Sequence, residues 1–102
     1  MTDIRRKKYL NRQSGYEDHY TIAYRPQGDG SIAVHAEVRP KDPYRNRDEC
    51  HIDLDGTLVC VAAGKEPRSF ERAEAIAHAW MLGYSVYVRT GRFPRGTVRV
   101  ET

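Results

Sequence analysis

Between Ser69 and Gly83 the apolar residues Phe70, Ala73, Ile76, Ala77, Trp80 and Met81 recur at three- and four-residue spacing. That period puts them on one stripe of a helix, so an amphipathic helix is expected over about 69–82. Ser69 suits the N-cap, and Glu71 and Glu74 follow near the positive end of the helix dipole. His78 falls on the polar side near both glutamates, where ordinary contact one turn away explains it. Gly83 supplies the left-handed residue that ends many helices. Beyond it, Val86 and Val88 alternate with other residues, the period of a strand over Tyr84 to Arg89.

Upstream the period is two. Tyr20, Ile22 and Tyr24 alternate with Thr21, Ala23 and Arg25, then turn residues from Pro26 to Gly30 intervene. Ile32, Val34, Ala36 and Val38 alternate with Ala33, His35, Glu37 and Arg39, which predicts a second strand antiparallel to the first. Lys41 to Glu49 is a polar loop. Cys50 to Leu54 and Thr57 to Val61 are expected as two short strands around Asp55-Gly56, the strongest hairpin signal in the chain. A last strand is expected over Thr97 to Glu101. Residues 1–15 show no sustained period and are expected to form a mobile basic arm, with a short helix around Ile4 to Leu10.

The predicted order is β-β-β-β-α-β-β, with residues 16–102 as a single small α+β domain. One antiparallel sheet carries the helix across one face. The expected core joins the helix stripe to Ile22, Ile32, Val34, Ile52, Val59, Val86, Val88, Val98 and Val100. The other sheet face would show Thr21, Ala23, Arg25, Ala33, His35, Glu37, Arg39, Tyr87, Arg89 and Arg99. That face is mostly polar, as for a sheet open to water on one side. Its small and apolar residues call for a cover, either the arm folded back or a partner.

Composition bounds the class. At 102 residues, with 39% hydrophobic and 30% charged, the chain falls among folded domains rather than disordered segments. No apolar run approaches the ~20 residues of a membrane helix. The basic N-terminus lacks the apolar stretch of a secretory signal, so a cytoplasmic location is expected. The formal charge of +3 is uneven. Arg5, Arg6, Lys7, Lys8 and Arg12 stand in the first fifteen residues against Asp3 alone, while the remainder is near neutral. A basic arm on a neutral body is an arrangement that nucleic-acid binders use, and one that keeps a tail solvated.

Asp53-Leu54-Asp55-Gly56-Thr57-Leu58 resembles the first motif of the haloacid dehalogenase superfamily. The resemblance would imply phosphoryl transfer, with the first Asp as nucleophile, the second as acid/base and magnesium between them. The surroundings reject it. A polar run, Arg45 to His51, precedes the motif where that superfamily has a buried hydrophobic strand. Only 45 residues follow Thr57, too few for several crossover units of ~30 residues each. The positive φ of a hairpin turn accounts for Asp-Gly.

His51 and Asp53 on one strand, near His35 and Glu37, are residue types suited to a divalent metal or to acid–base work. They lack a recognised ligand spacing, so no metal or cofactor is expected. Cys50 and Cys60 flank the hairpin. A two-residue loop sets Cys50 opposite Val61, and a three-residue loop sets it opposite Cys60; reduced thiols are expected in either register.

Two loops carry arginine around an aromatic residue: Tyr44 with Arg45 and Arg47, and Phe93 with Arg89, Arg92 and Arg95. Such pairs contact phosphates and stack on bases, and equally anchor protein interfaces. The chain is therefore expected to be a small non-enzymatic binding module that docks a macromolecular partner through these loops and the free sheet face, with the basic arm among the candidate contacts. The partner is a protein or a nucleic acid. A hydrolase or metal-dependent enzyme centred on His51 and Asp53 is a further alternative. An inhibitor of a host protein, carried by a phage or plasmid, is another, on size and style alone.

Overall fold

Tyr20, Ile22 and Tyr24 lie on one side of the central strand of the sheet, and everything else is placed against them. The structure, a computed structural model, describes residues 3–13, 15–53 and 56–94. Strand β2 (Tyr16–Pro26) pairs antiparallel with β1 (Arg5–Gln13) on one edge and β3 (Ile32–Val38) on the other. A four-residue helix, α1 (Arg47–Cys50), follows β3, and α2 (Phe70–Thr90) crosses one face of the sheet. The chain is thus α+β with an antiparallel sheet, as expected. The count and order differ: among the described residues three strands precede two helices.

The largest correction concerns α2. Ser69 caps it as expected, its side-chain oxygen accepting from Arg72 N at 3.2 Å. The helix then runs through Gly83 and ends only at Gly91, which has φ 79° and donates its N–H to Tyr87 O at 2.7 Å. Tyr84 to Arg89 is therefore helix, and the stripe of Ala73, Ala77, Trp80 and Met81 continues into Tyr84, Tyr87 and Val88. Tyr87 and Arg89 accordingly do not lie on the sheet.

Residues 5–13 are β1, in place of the expected arm and of its short helix. Tyr9 pairs with Tyr20 and Gln13 with Tyr16, so two residues connect β1 to β2, with Gly15 at φ 82°. A strand of this kind alternates in its own way. Arg5, Lys7, Tyr9 and Asn11 face the helix, while Arg6, Lys8, Leu10 and Arg12 share the open face with His19, Ala23 and Arg25. Residues 5–13 thus extend the sheet edge and do not fold back over that face.

Cys50–Leu54 and Thr57–Val61 are not two regular strands. Cys50 ends α1, and His51 takes φ 57° just after it. A short antiparallel contact remains, with Ile52 opposite Val59 and His35 opposite Leu58. Asp53 N donates to Leu58 O at 3.0 Å, and Val59 N donates to Val34 O at 2.9 Å. This pair is in the register of a two-residue loop. Consistent with that register, Cys50 is buried, Cys60 is exposed and both are free. The strand expected at 97–101, with Val98, Arg99 and Val100, lies outside the described residues.

The core is aromatic. Trp80 stacks on Tyr84 at 4.6 Å and meets Tyr20 edge-on at 6.0 Å, while its Nε1 donates to Cys50 O at 2.8 Å. Ile22, Val34, Ile52 and Val59 join it as expected, and Ile32 and Val88 are partly buried against it. At one end the helix–sheet interface is polar. Ser85 Oγ lies 2.6 Å from the Tyr20 hydroxyl and accepts from Asn11 Nδ2 at 2.9 Å. Beside it Arg89 donates to both Asp18 carboxylate oxygens at 2.7 and 2.9 Å. Burial alone would raise the Asp18 carboxyl, but the bonds from Arg89 and Ser85 outweigh it and hold it below its ordinary value.

Two outcomes follow. Trp80→Ala should lower stability by about 3–5 kcal/mol, since it removes the largest buried ring and the bond to Cys50; urea unfolding measures this. A carboxyl depressed in the folded state stabilises above its unfolded pKa and loses that contribution as pH falls through the folded value. Stability should therefore decline below about pH 4. Asp18→Asn should cost about 2 kcal/mol at neutral pH and make that acid decline shallower.

Candidate functional site

The segment after β3 is shaped by one carboxylate. Asp42 Oδ1 accepts from Tyr44 N at 2.8 Å and Arg45 N at 2.9 Å, a tight turn that leaves Arg45 at φ 52°. Its Oδ2 takes a long contact, 3.7 Å, from Cys50 Sγ. Burial pushes the Asp42 carboxyl up, but the Arg45 and Tyr44 N–H groups, with Tyr87 and Cys50, bring it below its usual range. Asn46 then caps α1, its side chain accepting from Glu49 N, while its own N–H donates to the Tyr87 hydroxyl at 3.0 Å.

These bonds lay the segment on the last turns of α2. The Tyr44 ring packs against Tyr87, with centroids 5.5 Å apart, and against the backbone of Gly91. Phe93 N donates to Glu49 Oε2 at 2.8 Å, and the Phe93 ring meets His51 edge-on at 4.9 Å. The two arginine loops, far apart in sequence, are thereby neighbours. Tyr44, Arg45, Arg47 and Arg92 are exposed on this surface. Phe93 is only 6% exposed, so its ring is part of the core and offers no stacking face.

Other expected contact residues are engaged within the fold. Arg89 pairs with Asp18 and lies 3.7 Å over the Tyr16 ring. Arg5 lies over Phe70, Arg6 pairs with Glu37 at 2.8 Å, Lys7 with Glu74 and Arg12 with Glu17 at 3.0 Å. Lys8 is exposed on the open face. Arg95 lies outside the described residues. The basic segment is thus a charged strand edge in which most cations have a nearby carboxylate or ring.

The residues singled out for metal or acid–base chemistry are dispersed. Among the described residues no three of His, Cys, Asp and Glu are placed to hold a metal ion. His35 Nδ1 lies 2.8 Å from Thr57 Oγ1, and burial followed by the charge of Arg25 lowers its pKa, so it is neutral at pH 7. Burial raises the Cys50 thiol, which keeps it protonated and a poor nucleophile. No described helix is long and apolar enough to cross a membrane. Comparison with protein families, curated proteins and solved structures finds no match for this chain.

Sequence reasoning named the arginines and aromatics of the loops but missed Asp42, which organises them. The signal was there: an Asp two and three residues before the N–H groups it accepts from is a turn former. Gly91 is equally silent in a reading that ends the helix at Gly83. Gly91→Ala should cost about 1–2 kcal/mol, because an L residue resists this φ and its Cβ would lie 3.3 Å from Tyr44 Cε1. The Tyr44 ring resonances should move in the NMR spectrum, while those of Tyr24 at the far end of the helix should not.

Proposed function

We propose that this protein is a non-enzymatic binding module that docks a protein partner on the surface formed by Tyr44, Arg45, Arg47 and Arg92. One observation carries the reading: an exposed tyrosine ring, 49% accessible, seated on Tyr87 and Gly91 and ringed by arginines from two loops. Tyrosine and arginine dominate binding hot spots because each offers a large contact area with a polar end. A ring already held by its support loses little freedom on docking, so more of its contact area becomes affinity. The dispersed histidines and carboxylates and the protonated Cys50 favour binding over catalysis.

Nucleic acid is the second reading, and Arg6, Lys8, Arg12 and Arg25 on the open sheet face favour it. Glu37 and Glu17 sit among those cations and offset their charge, and the buried Phe93 supplies no stacking platform. The protein reading therefore ranks first.

The test is capture from the native host by immobilised chain, with nuclease treatment of a parallel sample. The expected outcome is a protein captured by the native chain in both samples, with affinity reduced tenfold or more by Tyr44→Ala, on the order of 1.4 kcal/mol. Arg6→Gln with Arg12→Gln should change capture little. Capture abolished by nuclease, with a log–log salt slope of about −0.9 per phosphate contact, would transfer the assignment to nucleic acid.

A further inference from the structure

Between the segment after β3 and the middle of α2 lies a half-open crevice of about 340 Å³. Its deep wall is apolar, made by Ile52 and Tyr84, both almost fully buried, with Pro40 beside them. Its rim carries Arg39, Lys41 and Arg45 together with Glu37 and Asp42. We infer that this crevice is a binding site for a carboxylate carried on a short apolar stem, such as a small carboxylic acid or a glutamate side chain.

The two acids on the rim are already committed. Glu37 accepts from Arg6 at 2.8 and 3.3 Å and from Arg25 at 3.4 Å, and these bonds, led by that of Arg6, hold its carboxyl below the usual value. Asp42 is occupied by the Tyr44 and Arg45 N–H groups. The cations are arranged differently. Arg39 Nη1 donates to Ala36 O at 2.8 Å and Nη2 to Gly56 O at 3.3 Å, which fixes the guanidinium plane beside the Tyr84 hydroxyl. A guanidinium has five N–H donors, so two bonds to carbonyls orient the fork without exhausting it. Lys41, exposed on the rim, adds a mobile ammonium.

An anchored guanidinium suits a planar two-oxygen anion, which it meets with parallel bonds. The apolar wall suits a few methylene groups rather than a fully hydrated anion, since a stem lying on Ile52 and Tyr84 would cover the half-buried Pro40 ring beside them and remove its apolar surface from water. A volume of this size is at the lower end for small-molecule sites, which matches a stem of a few carbons. The crevice shares Arg45 with the Tyr44 surface, while Arg39 and Lys41, which supply its anion contacts, lie outside that surface.

The experiment is NMR titration of the full chain with butyrate, with butanol and inorganic phosphate as controls. Butyrate should give saturable shifts confined to the amides of 39–45 and the Ile52 methyl groups, with a dissociation constant on the order of 1 mM. Lys41→Gln, at an exposed position, should weaken binding about fivefold; Arg39→Gln should abolish it, with folding checked by the unshifted signals of β1. A tighter response to N-acetyl-glutamate amide than to butyrate assigns the site to a peptide side chain, and the reverse to a free acid. Equal shifts with butanol, tighter binding of phosphate, shifts spread over Arg6 and Arg12, or no response to butyrate would each overturn the inference.

Discussion

A single helix has to cover one face of a sheet whose central strand is eleven residues long. At ~3.3 Å per residue that strand spans roughly 36 Å. A helix stopping before Gly83 would cover only about 20 Å of it. At 21 residues, α2 reaches about 31 Å and brings Ser85 and Arg89 over Asp18 and Tyr20. Glycine inside a helix costs roughly 1 kcal/mol relative to alanine. Burying Tyr84 and Tyr87 outweighs that, because each ring removes far more apolar surface from water than Gly83 fails to supply. The length of the sheet sets the length of the helix.

This explains which elements were legible. The start of α2 was readable because cap and stripe are local, as were β2 and β3, whose alternation is uninterrupted. The end of α2 was not. Val86 and Val88 fit a strand period, while Tyr84, Tyr87 and Val88 continue the helical one, and Gly83 tipped the reading toward the wrong choice. Only the tertiary demand for cover decides between the two. β1 was hidden for another reason: its helix-facing side is Arg5, Lys7, Tyr9 and Asn11, so its alternation carries almost no hydrophobic contrast. Those polar side chains end on ring or polar partners, among them Glu74 and Ser85, that no local pattern announces.

The site divides along the same line. Tyr44, Arg45, Arg47 and Arg92 are exposed, and their residue types alone made them candidates. Arg89 and Phe93 have the same residue chemistry, but Arg89, although exposed, is already held by Asp18 and the Tyr16 ring, and Phe93 is buried against His51. A sequence shows which side chains can bind something, but not whether the fold has already engaged them. The same holds for the basic N-terminal segment, whose formal charge overstates its outward field because Glu37, Glu74 and Glu17 stand beside it.

Four of the seven tyrosines are almost completely buried, and each hydroxyl meets a polar group on a different segment. Tyr20 reaches Met81 O, Tyr24 meets the Tyr9 hydroxyl, Tyr84 reaches Pro40 O and Tyr87 receives Asn46 N–H. An oily core of phenylalanines tolerates a helix that slides by a turn, because dispersion has no direction. Here a slide of about 5.4 Å would strand hydroxyls in a dry interior. The aromatic core therefore works as a set of keyed joints, admitting one alignment of helix on sheet and excluding its near neighbours.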